Sequence, residues 1–314
     1  MKKRILYLFA NNKIFFFCFL LLTLISWSRN SLAGEIQEVR IGVLAKRGHG
    51  IALQKWSATA DYLTKALPVH RFQIVPLDFT EIHAAVKEAR VDFVLANSAF
   101  YVELEKLYGV NRIATLLNQD LSGRQSTTFG GVIFVRSDRE DIQEIQDLHE
   151  KTFMAVEARS FGGWIMCWRE LARMEIEPAD FFSSIRFGHT HDAVVLAVQR
   201  GDVDGGTVRT DTLERMAESH TINLDEFKII NKKQIEGFPF ALSTSLYPEW
   251  PFAAIQTTPI YLARQVASAL LAMDENDPAA IAGKSAGWTV PLNYQPVHDC
   301  LMELHIGPYN DFGS

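Results

Sequence analysis

Residues 188–206, GHTHDAVVLAVQRGDVDGG, decide how this chain is read. Val194, Val195, Ala197 and Val198 mark one apolar face of a short helix, and Gly201 stops it. The polar group His189, Thr190, His191 and Asp192 precedes that helix, while Asp202, Asp204 and the pair Gly205-Gly206 lead into a strand. A helix N-terminus exposes unpaired N–H groups and the positive end of its dipole, so with a histidine beside it this loop suits an anion. The stretch predicts a ligand loop inside an α/β domain.

The same alternation extends in both directions. Upstream, strands are predicted over 39–44, 71–76, 92–96 and 111–116, with helices over 51–67, 80–89 and 99–108 between them. Trp56, Ala60, Leu63 and Leu67 share one face of the first helix. Past a polar stretch at 118–128, strands are predicted over 131–135, 152–156, 185–188, 206–208 and 227–231, and helices over 164–174, 193–200 and 210–219. The tail reads as helices over 260–273, 278–285 and 296–304. This order predicts a two-lobed α/β fold, each lobe a doubly wound, mostly parallel sheet flanked by helices. The expected division is a signal peptide at 1–33, a first lobe from 34–126 and 236–314, and a second lobe at 127–235. Ligands of such folds bind outside the carboxyl ends of the strands.

Composition narrows the classes. Lys2, Lys3, Arg4 and Lys13 precede an apolar run at 14–27, and Ser31-Leu32-Ala33 is a small-x-small cleavage site. Export with cleavage after Ala33, and a periplasmic mature chain, are expected. Removing residues 1–33 takes away five basic residues and no acidic one, so the formal charge falls from −6 to −11, 26 Lys and Arg against 37 Asp and Glu. Such an acidic body argues against nucleic acid as a partner. Any bound anion must be held by local dipoles and charges. Cys167 and Cys300 fall in different predicted lobes and are expected to be separate buried thiols.

Several loops carry candidate ligand groups. Gly48-His49-Gly50 follows a strand, but Leu53 stands where a dinucleotide loop needs its third glycine, and no cofactor is expected. Asn97 and Ser98 can cap the helix that follows and can also donate to a ligand. Thr127 and Thr128 offer hydroxyls where the chain crosses between lobes. Arg159, Ser160, Phe161, Gly162 and Gly163 join a strand to a helix, and the glycines allow close approach of backbone N–H groups. Arg209 can grip an oxyanion or pair with Asp211 or Glu214. His189, His191 and Asp192 have the spacing of part of a metal site, and a secreted metal-dependent hydrolase is the alternative reading. Ala193 stands where such hydrolases need a further histidine, and zinc needs three or four ligands, so no metal is expected. No nucleophile–base pair stands at recognisable spacing, and no catalysis is expected.

Five stretches in order complete the picture: DFTEIHAAVKEARVDFVLANSAFY (78–101), GVIFVRSD (131–138), SFGG (160–163), HDAVVLAVQRGDVD (191–204) and TVRTDTLE (207–214). With them the chain resembles periplasmic solute-binding proteins of the phosphonate, phosphite and phosphate type. The resemblance implies ligand contacts at Ser160, Phe161, Gly162, Gly163 and His191, a pocket aromatic at Phe79 and an amine-binding carboxylate at Asp211. Phe161 and Gly162 replace hydroxyl residues of that family, and its second amine-binding carboxylate is absent near 238–241, which turns the expectation from aminoalkyl phosphonates toward a small oxyanion. The stretches RSFGGW (159–164), GFPFALSTSLYPEWPFA (237–253) and AGWTVPLNYQPVHDCLMELHIGPY (286–309) further resemble the periplasmic sensor half of tetrathionate-sensor-like histidine kinases. The implied partners are a small oxyanion and an ABC transporter permease or a sensor histidine kinase in the inner membrane, and a monomer is expected.

Overall fold

A computed structural model describes residues 36–46, 48–120 and 122–311. The expected cleavage after Ala33 lies outside the described residues. Strands β1 (Gln37–Leu44), β2 (His70–Leu77), β3 (Phe93–Leu95), β4 (Asn111–Gln119) and β5 (Gln125–Ser126) build the first sheet. The chain then crosses through β6 (Thr128–Phe129) into a second sheet of β7 (Gly131–Arg136), β8 (Thr152–Ala155), β9 (Ser184–Phe187), β10 (Gly205–Arg209) and β11 (Phe227–Ile230). It returns through β12 (Tyr247–Pro248), and β13 (Pro251–Ala254) and β14 (Ser285–Thr289) complete the first sheet. Strands β6 and β12 pair with each other, so the two crossing segments run side by side.

The first sheet has the order β14-β4-β13-β3-β1-β2 and the second β11-β7-β10-β8-β9. Both are mixed. Parallel pairing joins β2, β1 and β3 in one and β10, β8 and β9 in the other, and the remaining neighbours are antiparallel. The alternation of strand and helix foretold the parallel parts. It did not foretell β13 and β14, because PFAA and SAGWT are too short to show a period. They are strands because β3 and β4 offer them edges.

Helices cover these sheets as their apolar spacing requires. Helix His49–Ala66 buries Ala52, Trp56, Ala60 and Leu63 against the first sheet, a repeat of three to four residues. Asn97 starts helix Ser98–Tyr108 by accepting from the N–H groups of Ala99 and Phe100. Thr190 does the same for helix His191–Arg200 by accepting from Ala193, and Gly201 ends that helix at φ 77°. Val194, Val195, Ala197 and Val198 of this helix pack on Val132, Phe134 and Val208 of the second sheet. Cys167 and Cys300 are buried thiols, and burial pushes both up to about 12.

An ion pair joins the second sheet's helix Met166–Ala172 to the C-terminal helix Gln295–Glu303. Arg169, 5% exposed, donates from both ends of its guanidinium to the Glu303 carboxylate and from Nη1 to the Tyr247 hydroxyl at 2.8 Å. The hydrogen bonds from Arg169 pull the Glu303 carboxyl down to about 2, against the effect of burial. Its contribution to stability is therefore full above the ordinary carboxylate range and is lost as pH falls through about 2. Glu303→Gln is expected to lower stability by about 1–2 kcal/mol at pH 7. Urea unfolding across pH 2–7 should show that deficit shrinking in acid.

Candidate functional site

A cleft of about 530 Å³ opens between the carboxyl ends of β1 and β10, as the strand-end rule requires. One wall comes from Leu44 and Lys46 after β1, from Lys55 and Trp56 of helix His49–Ala66, and from Trp250 just before β13. The facing wall comes from His191, Arg209, Asp211, Arg215 and Met216. The volume suits a small molecule.

The floor is a charged knot. Arg209, 5% exposed, donates to Glu249 Oε1 at 2.7 Å and meets Asp211 Oδ1 at 3.1 Å, with its guanidinium over the Phe129 ring at 4.6 Å. Arg215 Nε donates to Asp211 Oδ2 at 3.0 Å, and its Nη2 reaches Asn118 Oδ1 of β4 at 2.9 Å. Asn118 in turn donates to Asp211 and Glu249. Burial alone would raise the Asp211 carboxyl, but Arg209, Arg215 and Lys46 outweigh it and hold it far below the usual carboxylate range. Asp211 also sits at φ 71°, a left-handed conformation that aspartate tolerates. His191, 3% exposed, accepts the Arg209 backbone N–H at Nδ1, 3.3 Å, which puts the proton of the neutral ring on Nε2.

Two guanidiniums and two carboxylates neutralise each other in this knot. Lys46 and Lys55 remain as additional charge, with Lys284 at the rim and Asp192 as a further carboxylate. Lys46 and Lys55 keep a solvent-facing edge, yet both lie among enough protein to lose much of their hydration. Burial, reinforced by Arg215, lowers the Lys55 ammonium to about 7. Burial, reinforced by Arg209, takes Lys46 well below its ordinary value. The arrangement is a cleft with apolar walls whose two lysines are only weakly held in the charged form, a form that a bound anion favours.

Of the residues singled out from sequence, the structure brings His191, Asp192, Arg209 and Asp211 to the cleft. Others gather elsewhere, around Phe100. Phe79 packs on that ring at 5.7 Å, and Arg159 lies over it at 4.6 Å. Arg159 also binds Glu103 at 2.5 Å and His83 at 2.7 Å, a link between the two sheets' elements. Asn97 is the helix cap there, and the Ser98 hydroxyl donates to the Pro248 carbonyl at 2.6 Å. Thr127 and Thr128 belong to the crossing, where the Thr127 carbonyl accepts from Glu249 N–H and Thr128 pairs with Pro248.

Ser160 and Phe161 are buried at the head of a π-helical turn, Phe161–Ile165, with Phe161 against Tyr247 at 4.8 Å. The two glycines in that turn are demanded by packing. A Cβ on Gly162 would stand 2.7 Å from the Arg209 Cβ, and one on Gly163 would stand 2.5 Å from Val156. Gly162 lets the turn press against Arg209 at the end of β10, and Gly163 lets it press against Val156 just after β8. His189 is exposed, at φ 63°, and its ring is bound to Glu157, while His191 is buried. Among the described residues, no group of three His, Cys, Asp or Glu side chains could hold a metal ion.

Sequence reasoning missed Lys46, Lys55, Trp56, Arg215 and Trp250 as site residues. Lys46 lay in the loop after β1 that was already suspect. Lys55 gave no signal, because a lysine on a helix is ordinarily a solvated surface residue.

A family model described as "ABC transporter, phosphonate, periplasmic substrate-binding protein" matches residues 41–295. The tetrathionate sensor histidine kinase TtrS of Salmonella typhimurium is 31% identical over 268 residues, covering 85% of this chain and 44% of the relative. The chain thus spans less than half the length of that relative. A binding protein component of an ABC phosphonate transporter from Pseudomonas aeruginosa superposes with a TM-score of 0.69 at 14% identity, over 86% of this chain and 87% of that one. PhnD1 from Prochlorococcus marinus in complex with methylphosphonate gives 0.67 at 14% identity, over 86% and 98%. At such identities the structural likeness establishes the two-lobed fold alone.

The lowered Lys55 ammonium has a measurable consequence. Its folded value of about 7 lies below the ordinary 10.5, so burying the charge costs stability in full below pH 7 and the cost is relieved as pH rises to 10.5. Ligand-free protein is expected to gain stability from this site between pH 7 and pH 10. Urea unfolding should show Lys55→Met stabilised at pH 7 and the gain fading toward pH 10.

Proposed function

The chain belongs to the family of periplasmic substrate-binding proteins of the phosphonate ABC transporter type, and from that membership we propose that it captures a small oxyanion between its lobes. The observation that carries this reading is the pair Lys46 and Lys55. Both are cleft cations left over after Arg209 and Arg215 are matched by Asp211 and Glu249. His191, Arg209 and Asp211 complete the proposed ligand set, with Arg215 behind them. The N-terminus of helix His191–Arg200 adds its dipole.

A sulfur oxyanion fits these walls better than a phosphonate or phosphate. Thr212 is the single hydroxyl side chain among the described lining residues, while Trp56, Trp250, Leu44, Leu116 and Met216 supply apolar surface. A sulfur oxyanion needs few donors and tolerates apolar contact. The relative named as a tetrathionate sensor supports this choice, and it supports a sensor histidine kinase as recipient of the signal. The family description supports the second recipient, an ABC transporter permease. We take the lobes as residues 34–126 with 236–314, and 127–235; the crossing at β6 supports the first boundary, while β12 lies beyond the second, and we place the mature N-terminus at Gly34. The hydrolase alternative finds less support, since His189 is turned to Glu157.

Calorimetry with phosphate, phosphite, methylphosphonate, thiosulfate and tetrathionate tests the reading. At least one sulfur oxyanion should bind. Losing a charge-assisted hydrogen bond costs about 1.5–3 kcal/mol, so Lys46→Met and Lys55→Met should each weaken binding about 10- to 150-fold. Unchanged affinity in both variants would overturn the assignment of the site.

A further inference from the structure

Each of the two cleft lysines stands over a tryptophan. Lys46 Nζ lies 5.1 Å from the ring centroid of Trp250, and Lys55 Nζ lies 4.9 Å from that of Trp56. Both rings are nearly buried, 4% and 5% exposed. Trp56 is braced by Trp288 at 6.0 Å, and the Trp250 backbone N–H is tied to Glu249 Oε2 at 3.2 Å. The rings are therefore fixed supports. An aromatic face attracts an ammonium through its quadrupole, but it supplies no oxygen to replace the water it displaces. An ammonium so placed has lost part of its hydration and keeps N–H groups to offer.

The carboxylates of the charged knot are already engaged, and Asp192 is a further one on the cleft wall. Asp211 is bound by Arg209 and Arg215, and Glu249 by Arg209 and Asn118. Hydrogen phosphate brings an acidic proton that needs an acceptor, and a tightly held water shell that needs many donors in exchange. Thiosulfate carries no proton at neutral pH, and its terminal sulfur accepts apolar neighbours. At similar charge the two anions thus place opposite demands on the cleft.

We propose that Trp56 and Trp250 are specificity-determining positioning residues, which hold the Lys55 and Lys46 ammoniums partly dehydrated and so make the cleft select weakly hydrated oxyanions over strongly hydrated ones. The inference rests on the anion reading of the cleft. It assigns discrimination to two side chains that act through the lysines.

The test is calorimetry at pH 7 with thiosulfate and inorganic phosphate as probes, on the wild-type protein, Trp250→Leu, Trp56→Leu and Trp250→Phe. Wild-type protein should prefer thiosulfate. Each leucine variant should narrow the thiosulfate-to-phosphate affinity ratio by about 10-fold, and Trp250→Phe should recover part of it. Replacing all tryptophan by 5-fluorotryptophan weakens the aromatic faces with little change of shape. The ratio should fall there too, which keeps the inference testable if a leucine variant fails to fold. An unchanged ratio, or equal loss of both affinities, overturns the role of the tryptophans and leaves the cleft as an anion site. Failure of the wild-type protein to bind either anion overturns this inference, whereas the anion reading falls only if methylphosphonate, phosphite and tetrathionate fail as well.

Discussion

The buried Arg209 guanidinium, clasped by Glu249 and Asp211, is the interaction on which the rest of this structure depends. A charge with 5% exposure survives only if it is paired and hydrogen-bonded, and removing one partner of such a pair costs about 3–5 kcal/mol. Asp211 is a near neighbour of Arg209 in the chain, but Glu249 and Asn118 come from elsewhere. Arg209 ends β10 of the second sheet, Glu249 precedes β13 on the return to the first, and Asn118 of β4 bonds to both acids. The knot therefore draws the two sheets together at one point. Because it is neutral within itself, the lysines that face it are the charge a ligand meets.

Other contacts hold that point in place. The π-helical turn Phe161–Ile165 presses Gly162 against Arg209 of β10, and the guanidinium rests on Phe129. Away from the cleft, Arg159 reaches Glu103 and His83, and Arg169 reaches Glu303. Both arginines flank the same turn and both cross to elements of the first sheet. Motion of the second sheet relative to the first would have to break or carry these pairs.

The segment 188–206 was legible because local rules govern it. Thr190 caps, Gly201 stops, and the valines face the sheet, as their spacing implies. His191 and Arg209 could be read as candidate ligand residues because one opens a helix and the other ends a strand that leads into one. Gly162 and Gly163 were recognisable as special, but an anion loop and a tight packing contact demand the same residue, and only the proximity of Arg209 and Val156 tells them apart. Arg159 looked like a ligand residue because its partner Glu103 is 56 positions away. Lys55 and Trp250 were invisible for the same reason. Their meaning arises from residues brought to them by the crossing segments, and no local pattern records that. The short strands β13 and β14 were lost likewise, being strands by virtue of their neighbours.

The most direct test of the account is a crystal structure of the protein with thiosulfate, with the anion located by the anomalous signal of its sulfur atoms. The account places that signal in the cleft, within hydrogen-bond reach of the Lys46 and Lys55 ammoniums and bordered by Trp56 and Trp250. An ordered thiosulfate at the Phe100–Arg159 cluster or at the Ser160–Gly163 turn, with the cleft empty, would contradict it.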